Sequence, residues 1–283
     1  MTFLNVFILA LVQGICELLP VSSSAHVIMA EKLLGLDPTA PEMTMLLVML
    51  HTGTMFAVIV YFWRAWFATY FSSARAFRQH GLQIVLATAV TGVVGLVLLQ
   101  LIKMVVAKSM PDFEIEHLFG NSRIIASGLA IAGLLILYSA RRAKHHEDGS
   151  PISTRSAAWI GAVQGLCLPF RGLSRSGATI STGLALGVAR SRAEEFSFAL
   201  AVVLTPAVIA REAYRLFKTP AAVDALHAGG GWALLMPSLA GLVFSFAAGL
   251  LALRWLSRWL AQDRWHLFGF YCLAASIVVL SLG

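Results

Sequence analysis

The chain has 283 residues, of which 58% are hydrophobic and 12% charged, with a mean hydropathy of +0.79. A soluble domain carries roughly 25% charged residues, so this chain has about half the charge needed to coat a water-facing surface, which excludes a soluble enzyme or binding module. The net charge of +7 does not indicate nucleic acid either, because the basic residues fall in short stretches between apolar runs and form no continuous basic face.

In chain order, the first apolar region runs near 3–35 and is broken in its middle by Pro20 and the serines that follow. Each half is about 12–15 residues, whereas a bilayer crossing takes roughly 20. The region therefore predicts a helical hairpin that dips into the membrane and returns. Irregular backbone at that depth is tolerated only where protein or a wet cavity surrounds it. Three spans are expected next, near 43–63, 82–102 and 122–140. A second region near 156–190 is interrupted by Pro, Gly, Ser and Arg and predicts a second re-entrant hairpin. Spans near 196–216, 232–253 and 265–282 complete the chain. Residues 1–283 thus read as one all-α polytopic membrane domain, with six transmembrane helices plus two re-entrant hairpins. The N-terminus has no basic stretch and no small-residue cleavage site after it, so a removed signal peptide is not expected. Cys16, Cys167 and Cys272 lie in apolar segments without paired metal spacing and read as packing residues.

The two broken regions are copies of each other. Val12-Gln13-Gly14-Ile15-Cys16 answers Val163-Gln164-Gly165-Leu166-Cys167, and both runs continue through a proline into a serine cluster. A hairpin returns to its own side, and three spans separate the copies. An odd number of crossings turns the second copy over, giving an inverted-topology repeat of approximately 1–63 and 156–216 with two broken helices near the midplane. Arg64, Arg75, Arg78, Arg141, Arg142, Lys144, Arg155, Arg190, Arg192, Arg254, Arg258 and Arg264 fall on one side. Lys32, Lys103, Lys108, Arg123, Arg211, Arg215 and Lys218 fall on the other, with Asp112, Glu114 and Glu116. The richer side is expected to be cytoplasmic, with both termini outside.

An ionisable group at membrane depth costs about 2.5–3.5 kcal/mol on insertion scales and calls for a partner or a function. Glu17, His26, Arg171 and Arg175 all fall inside the two hairpins. Scattered, they would read as snorkelling or structural residues; at equivalent places in two inverted copies they read as one site. Arg175 stands between Ser174 and Ser176, ahead of Thr179, where a helix resumes. Amides, hydroxyls and a guanidinium together suit a tetrahedral oxyanion. Ser22, Ser23 and Ser24 repeat that chemistry in the first hairpin. Helix capping explains one serine per hairpin but not a buried arginine. Ser23 and His26 are three apart and share a helix face, as nucleophile and base. Glu17 lies one turn beyond Gln13, so both can face one cavity, where a carboxylate would hold a divalent cation or orient the histidine.

The patterns Gln13-x-x-x-Glu17, Pro20-Val-Ser-Ser-Ser-Ala-His26 and Gly172-Leu-Ser-Arg-Ser-Gly-Ala-Thr179 resemble the undecaprenyl-diphosphate phosphatase family, also called the bacitracin-resistance family. The resemblance extends over essentially the whole chain, including Phe62-Trp63-Arg64 and Glu195-Phe-Ser-Phe198. It implies a multi-pass bacterial inner-membrane phosphatase that converts undecaprenyl diphosphate to the monophosphate carrier of peptidoglycan synthesis. It further implies a site open to the periplasm and dependence on Mg²⁺ or Ca²⁺. On the matching positions it makes Ser23 and His26 nucleophile candidates, Arg175 the phosphate clamp, and Glu17 an acid–base or metal residue. Ser22, Ser174, Ser176 and Thr179 become supporting ligands; Ser24 is counted with them from the serine cluster itself. The partners implied are the prenyl diphosphate and the surrounding lipids, with a homodimer as the oligomer considered.

Two departures from the family pattern stand out. Its first acidic position is Gln13 here, which offers a cation a carbonyl but no charge. The segment before Gly172 carries Arg171 where proline is usual, with Pro169 further back, and the extra guanidinium either touches the distal phosphate or snorkels. The expected reaction is phosphoanhydride hydrolysis, with Ser23 or His26 attacking the terminal phosphorus or His26 activating water. A rival from another class is a transporter or flippase, since broken helices in inverted repeats are typical of secondary transporters.

Overall fold

The structure is a computed structural model and describes residues 2–37, 40–106, 121–143, 149–218 and 231–282. Among these the chain forms helices α1 (Phe3–Leu18), α2 (Ser23–Leu33), α3 (Pro41–Tyr70), α4 (Ala74–Val106), α5 (Ser122–Ala143), α6 (Thr154–Cys167), α7 (Arg175–Ala185), α8 (Arg190–Lys218), α9 (Gly231–Ala261) and α10 (Trp265–Leu282). Five segments, Glu42–Tyr70, Ala74–Val105, Ser122–Ala143, Arg190–Arg211 and Leu235–Ala261, are long and apolar enough to cross a membrane. They match five of the six expected spans. The sixth expected span coincides with α10, whose 18 residues extend about 27 Å at a helical rise of 1.5 Å per residue. It falls short of the other five in length rather than in apolar character.

The helices overrun the apolar runs that betray them. α3 and α4 have 30 and 33 residues, so Arg64, Arg75 and Arg78 stand on helices rather than in a loop. Arg141 and Arg142 likewise end α5, and Arg190 and Arg192 begin α8. Hydropathy marks where hydrocarbon ends, but a helix continues past that level, and long basic side chains extend from it toward water. Lys108, Asp112, Glu114, Glu116 and Lys144, which entered the charge count, lie outside the described residues.

The chain divides into two compact units, one made of residues 1–18, 23–63 and 201–255, the other of 19–22, 64–200 and 256–283. In the first, Val6, Leu9, Ala10, Met43, Leu46 and Leu50 form a buried apolar cluster. Lipid tails are as apolar as leucine, so close backbone approach does what water exclusion does elsewhere. A Cβ on Gly14 of α1 would come within 2.6 Å of Ala248 on α9, and one on Gly241 within 2.6 Å of Leu46 on α3. Ser245 Oγ adds a bond to the Leu50 carbonyl at 3.1 Å.

In the second unit α10 packs along α5, α4 along α6, and α7 against both α5 and α6. The same small-residue logic applies: Gly133 and Gly269 face each other across α5 and α10, and Gly161 of α6 lies directly on the Ala87 backbone of α4. The start of α8 is tied down on several sides. Arg190 pairs with Asp263 at 2.8 Å, Arg192 with Glu195 at 2.9 Å, Ser257 donates to Glu194 at 2.5 Å, and Trp66 Nε1 donates to the Glu195 carbonyl at 3.2 Å.

Candidate active site

Both broken regions are helix breaks. α1 stops at Leu18 and α2 starts at Ser23; α6 stops at Cys167 and α7 starts at Arg175. In the first unit, the last turn of α1 and the first turn of α2 bring three of the named side chains together. Gln13, only 1% exposed, donates through Nε2 to Glu17 Oε2 at 3.2 Å, one helical turn away. The Ser23 hydroxyl, across the break, donates to the same oxygen at 2.5 Å. This is the length of a charge-assisted O–H···O⁻ bond. Spacing pairs Ser23 with His26, and both do stand in the first turn of α2. The contact with Glu17 is additional, and no periodic pattern reveals it because it spans a non-helical turn. Ser24 and His26 are half-buried beside it.

The turn that joins α1 to α2, Leu19–Ser22, belongs to the second unit. Ser22 is buried there with φ at +67°, a left-handed conformation costing a residue with a Cβ about 1–2 kcal/mol and found most often at functional turns. The turn is fixed by its main chain: Ser176 Oγ donates to the Leu19 carbonyl at 3.2 Å, and Cys272 Sγ to the Pro20 carbonyl at 3.2 Å. Ser176 at the start of α7 and Leu19 of this turn, 157 positions apart in sequence, are thus in contact.

The second break ends in a well-formed helix start. Ser174 is the N-cap of α7 and accepts from the Gly177 amide at 3.2 Å, as a cap residue should. Arg175 is the first helical residue, where aligned amides and the helix dipole favour an anion. Ser176 and Thr179 are buried. Thr179 Oγ1 donates to the Arg175 carbonyl at 2.8 Å and lies 2.6 Å from Ser197 Oγ. Arg171, half-buried, sits in the break itself. Next to it Gly172 has φ at +99°, and a side chain there would collide with the Ile125 carbonyl. Only glycine fits, so α5 sets how α7 is entered.

Ser197 and the left-handed Ser22 backbone are the parts of this arrangement that pattern reading assigns no role. The first lies in a stretch, Glu195-Phe-Ser-Phe198, whose only signal was resemblance; the second has no sequence signal beyond a serine run after proline.

A family model described as "Bacitracin resistance protein BacA" matches residues 6–278. The chain is 62% identical over 283 residues to "Undecaprenyl-diphosphatase 2" of Acinetobacter baylyi, covering 100% of this chain and 98% of that protein. It is 34% identical to "Undecaprenyl-diphosphatase" of Thermus thermophilus, covering 96% and 94%. It is 33% identical to "Undecaprenyl-diphosphatase" of Polaromonas naphthalenivorans, covering 97% and 92%.

Proposed function

The chain belongs to the bacitracin resistance protein family, and from that premise we propose how its own residues carry out the reaction. The protein is a membrane enzyme that hydrolyses undecaprenyl diphosphate to undecaprenyl phosphate and inorganic phosphate. The substrate is a prenyl diphosphate lipid, and the transporter reading is not favoured beside relatives named for a hydrolase.

The observation that carries the mechanism is the Ser23 hydroxyl bound to Glu17 at 2.5 Å. Glu17 accepts the hydroxyl proton as Ser23 Oγ attacks the terminal phosphorus. The bond between that phosphorus and the bridging oxygen breaks, and the prenyl monophosphate leaves with the electron pair. Water then attacks the phosphoserine phosphorus, and His26, one turn along α2, takes the water's proton. The P–Oγ bond breaks, and Ser23 Oγ recovers its proton from Glu17 as inorganic phosphate is released. Arg175 and the α7 start hold the diphosphate oxygens, and most of the rate comes from such positioning and charge complementarity. Ser22, Ser24, Ser174, Ser176 and Thr179 support this set, and Arg171, half-buried in the break before α7, is the further cation offered to the distal phosphate.

The family's chemistry is consistent with a divalent cation. Among the described residues no group of three His, Cys, Asp or Glu forms a metal cluster. Glu17 and Gln13 offer one carboxylate and one neutral carbonyl. That donor set fits a Mg²⁺ or Ca²⁺ completed by substrate phosphate oxygens and water rather than an all-protein cage. When bound, the ion would neutralise diphosphate charge.

The remaining architecture follows the same reading. α10 is the sixth span, the α1–α2 and α6–α7 pairs are re-entrant hairpins, and residues near 1–63 and 156–216 form the inverted repeat of a single membrane domain. The site opens to the periplasm of a bacterial inner membrane, and the prenyl tail lies in lipid between spans. Phosphate release from detergent-solubilised protein tests the core of the proposal. A hydrolase releases phosphate without compartments, and a pure flippase releases none.

A further inference from the structure

Buried serines on helices usually satisfy themselves on a carbonyl of the preceding turn, as Ser139 does on Ile136 at 2.9 Å. Ser197 on α8 reaches across to another helix. Its hydroxyl lies 2.6 Å from Thr179 Oγ1 on α7, and both residues are 0% exposed. Thr179 spends its one hydroxyl proton on the Arg175 carbonyl at 2.8 Å. Either hydroxyl can donate in the 2.6 Å contact; with the Thr179 proton on its carbonyl, the order that serves both groups is Ser197 O–H to Thr179 O–H to the Arg175 carbonyl. The foundation of this chain is firm. Phe196 and Phe198 on either side of Ser197 are buried at 2% and 0% exposure, and the turn before them carries the Arg190–Asp263 and Arg192–Glu195 pairs.

We propose that Ser197 is a positioning residue for Arg175: through Thr179 it fixes the first turn of α7, and so the direction from which the guanidinium fork meets the diphosphate. The inference rests on the assignment of Arg175 as phosphate clamp. It adds a residue of α8, outside both hairpins, to the machinery. A planar fork is sensitive to aim because both of its N–H groups must align with two phosphate oxygens, whereas the cost of a small misplacement at a reacting group reaches tenfold or more.

The test is phosphate release from a C55 prenyl diphosphate in detergent by purified wild type, Ser197→Ala, Ser197→Thr, Arg175→Ala, Arg175→Lys and the double variant Ser197→Ala/Arg175→Lys. Melting midpoints serve as the fold control. Ser197→Ala is expected to lower kcat about tenfold with KM changed less than about threefold, and Ser197→Thr, which keeps the hydroxyl, to recover to within about threefold of wild type. On the Arg175→Lys background, where a point charge replaces the fork, the cost of removing the Ser197 hydroxyl should shrink below about twofold. A folded Ser197→Ala with wild-type kcat, beside an impaired Arg175→Ala, overturns the positioning role and leaves the clamp standing. An undiminished tenfold loss on the lysine background also overturns it, since Ser197 would then act elsewhere. Wild-type turnover in Arg175→Ala overturns the clamp and the inference together. Should Ser197→Ala not survive purification, Ser197→Cys, a weaker donor of similar volume, is read on the same two backgrounds against the same criteria.

Discussion

Ser23 and Glu17, six residues apart on opposite sides of a helix break, share a hydrogen bond of 2.5 Å. The carboxylate thereby holds the hydroxyl at the lip of α2 while Gln13 steadies the same oxygen from one turn below. On the proposed mechanism this presents Ser23 as a nucleophile oriented by a carboxylate that is itself oriented.

Ser23→Ala and His26→Ala should each lower turnover by at least about a hundredfold, the size of a lost nucleophile or acid–base group. Phosphate release by the folded, detergent-purified variants checks this. Near wild-type rates in both would end the catalytic assignment.

On the proposed mechanism Glu17→Gln should be severe, because it removes both the base for Ser23 and the charge that the Gln13–Glu17 pair offers a cation. Gln13→Glu should be tolerated and should lower the cation concentration needed for half-maximal rate, since a second carboxylate strengthens a hard-cation site. Chelation with EDTA followed by titration with Mg²⁺ or Ca²⁺ reads both variants. An inactive Gln13→Glu would mean that the amide's donation to Glu17 outweighs the added charge, or that this position faces the anionic diphosphate directly.

Arg175→Lys is expected to stay well below wild type, and Arg175→Ala lower still, with expression little changed. Lysine brings one point charge in place of a fork and sheds its proton more readily in a dry site. Full activity in the lysine variant would show that charge alone suffices.

Gly172→Ala should destabilise the protein by about 3 kcal/mol, because it combines a disfavoured φ of +99° with a collision against the Ile125 carbonyl. In a thermal melt this is a drop of about 5–10 °C. An unchanged melt would mean that the α5–α7 approach can relax.

For orientation, single cysteines at Ser73 and Asn121, both exposed, in a background without the native cysteines should behave oppositely in intact spheroplasts. An impermeant reagent should modify position 121 and spare position 73, as the excess of arginines on the Ser73 side requires. The reverse pattern would invert the topology.

The helix breaks, the facing of Gln13 and Glu17, and the restart of a helix at Arg175 were legible in the sequence, because each depends on spacing within four residues or on proline, glycine and serine. The Ser23–Glu17 bond was not, since helical periodicity stops at the break and says nothing about how the chain re-enters. Helix ends were misplaced around Arg64 and Arg75 because apolar runs report the depth of hydrocarbon, not the length of hydrogen-bonded backbone. Ser197 gave no physical signal at all: a serine between two phenylalanines reads as filler until the helix opposite is known.

The hold of Ser176 on the Leu19 carbonyl bears on how this enzyme drifts and how it is probed. A replacement at position 19 leaves the acceptor of that link in place, since the accepting oxygen is common to every amino acid, and is felt instead through the packing of the buried Leu19 side chain. A mutational scan of the serine turn would therefore pass over one of its fastenings and record it 157 residues away, as sensitivity at position 176. This fastening of the turn is therefore written in the sequence of its donor on α7 and not in the sequence of the turn itself.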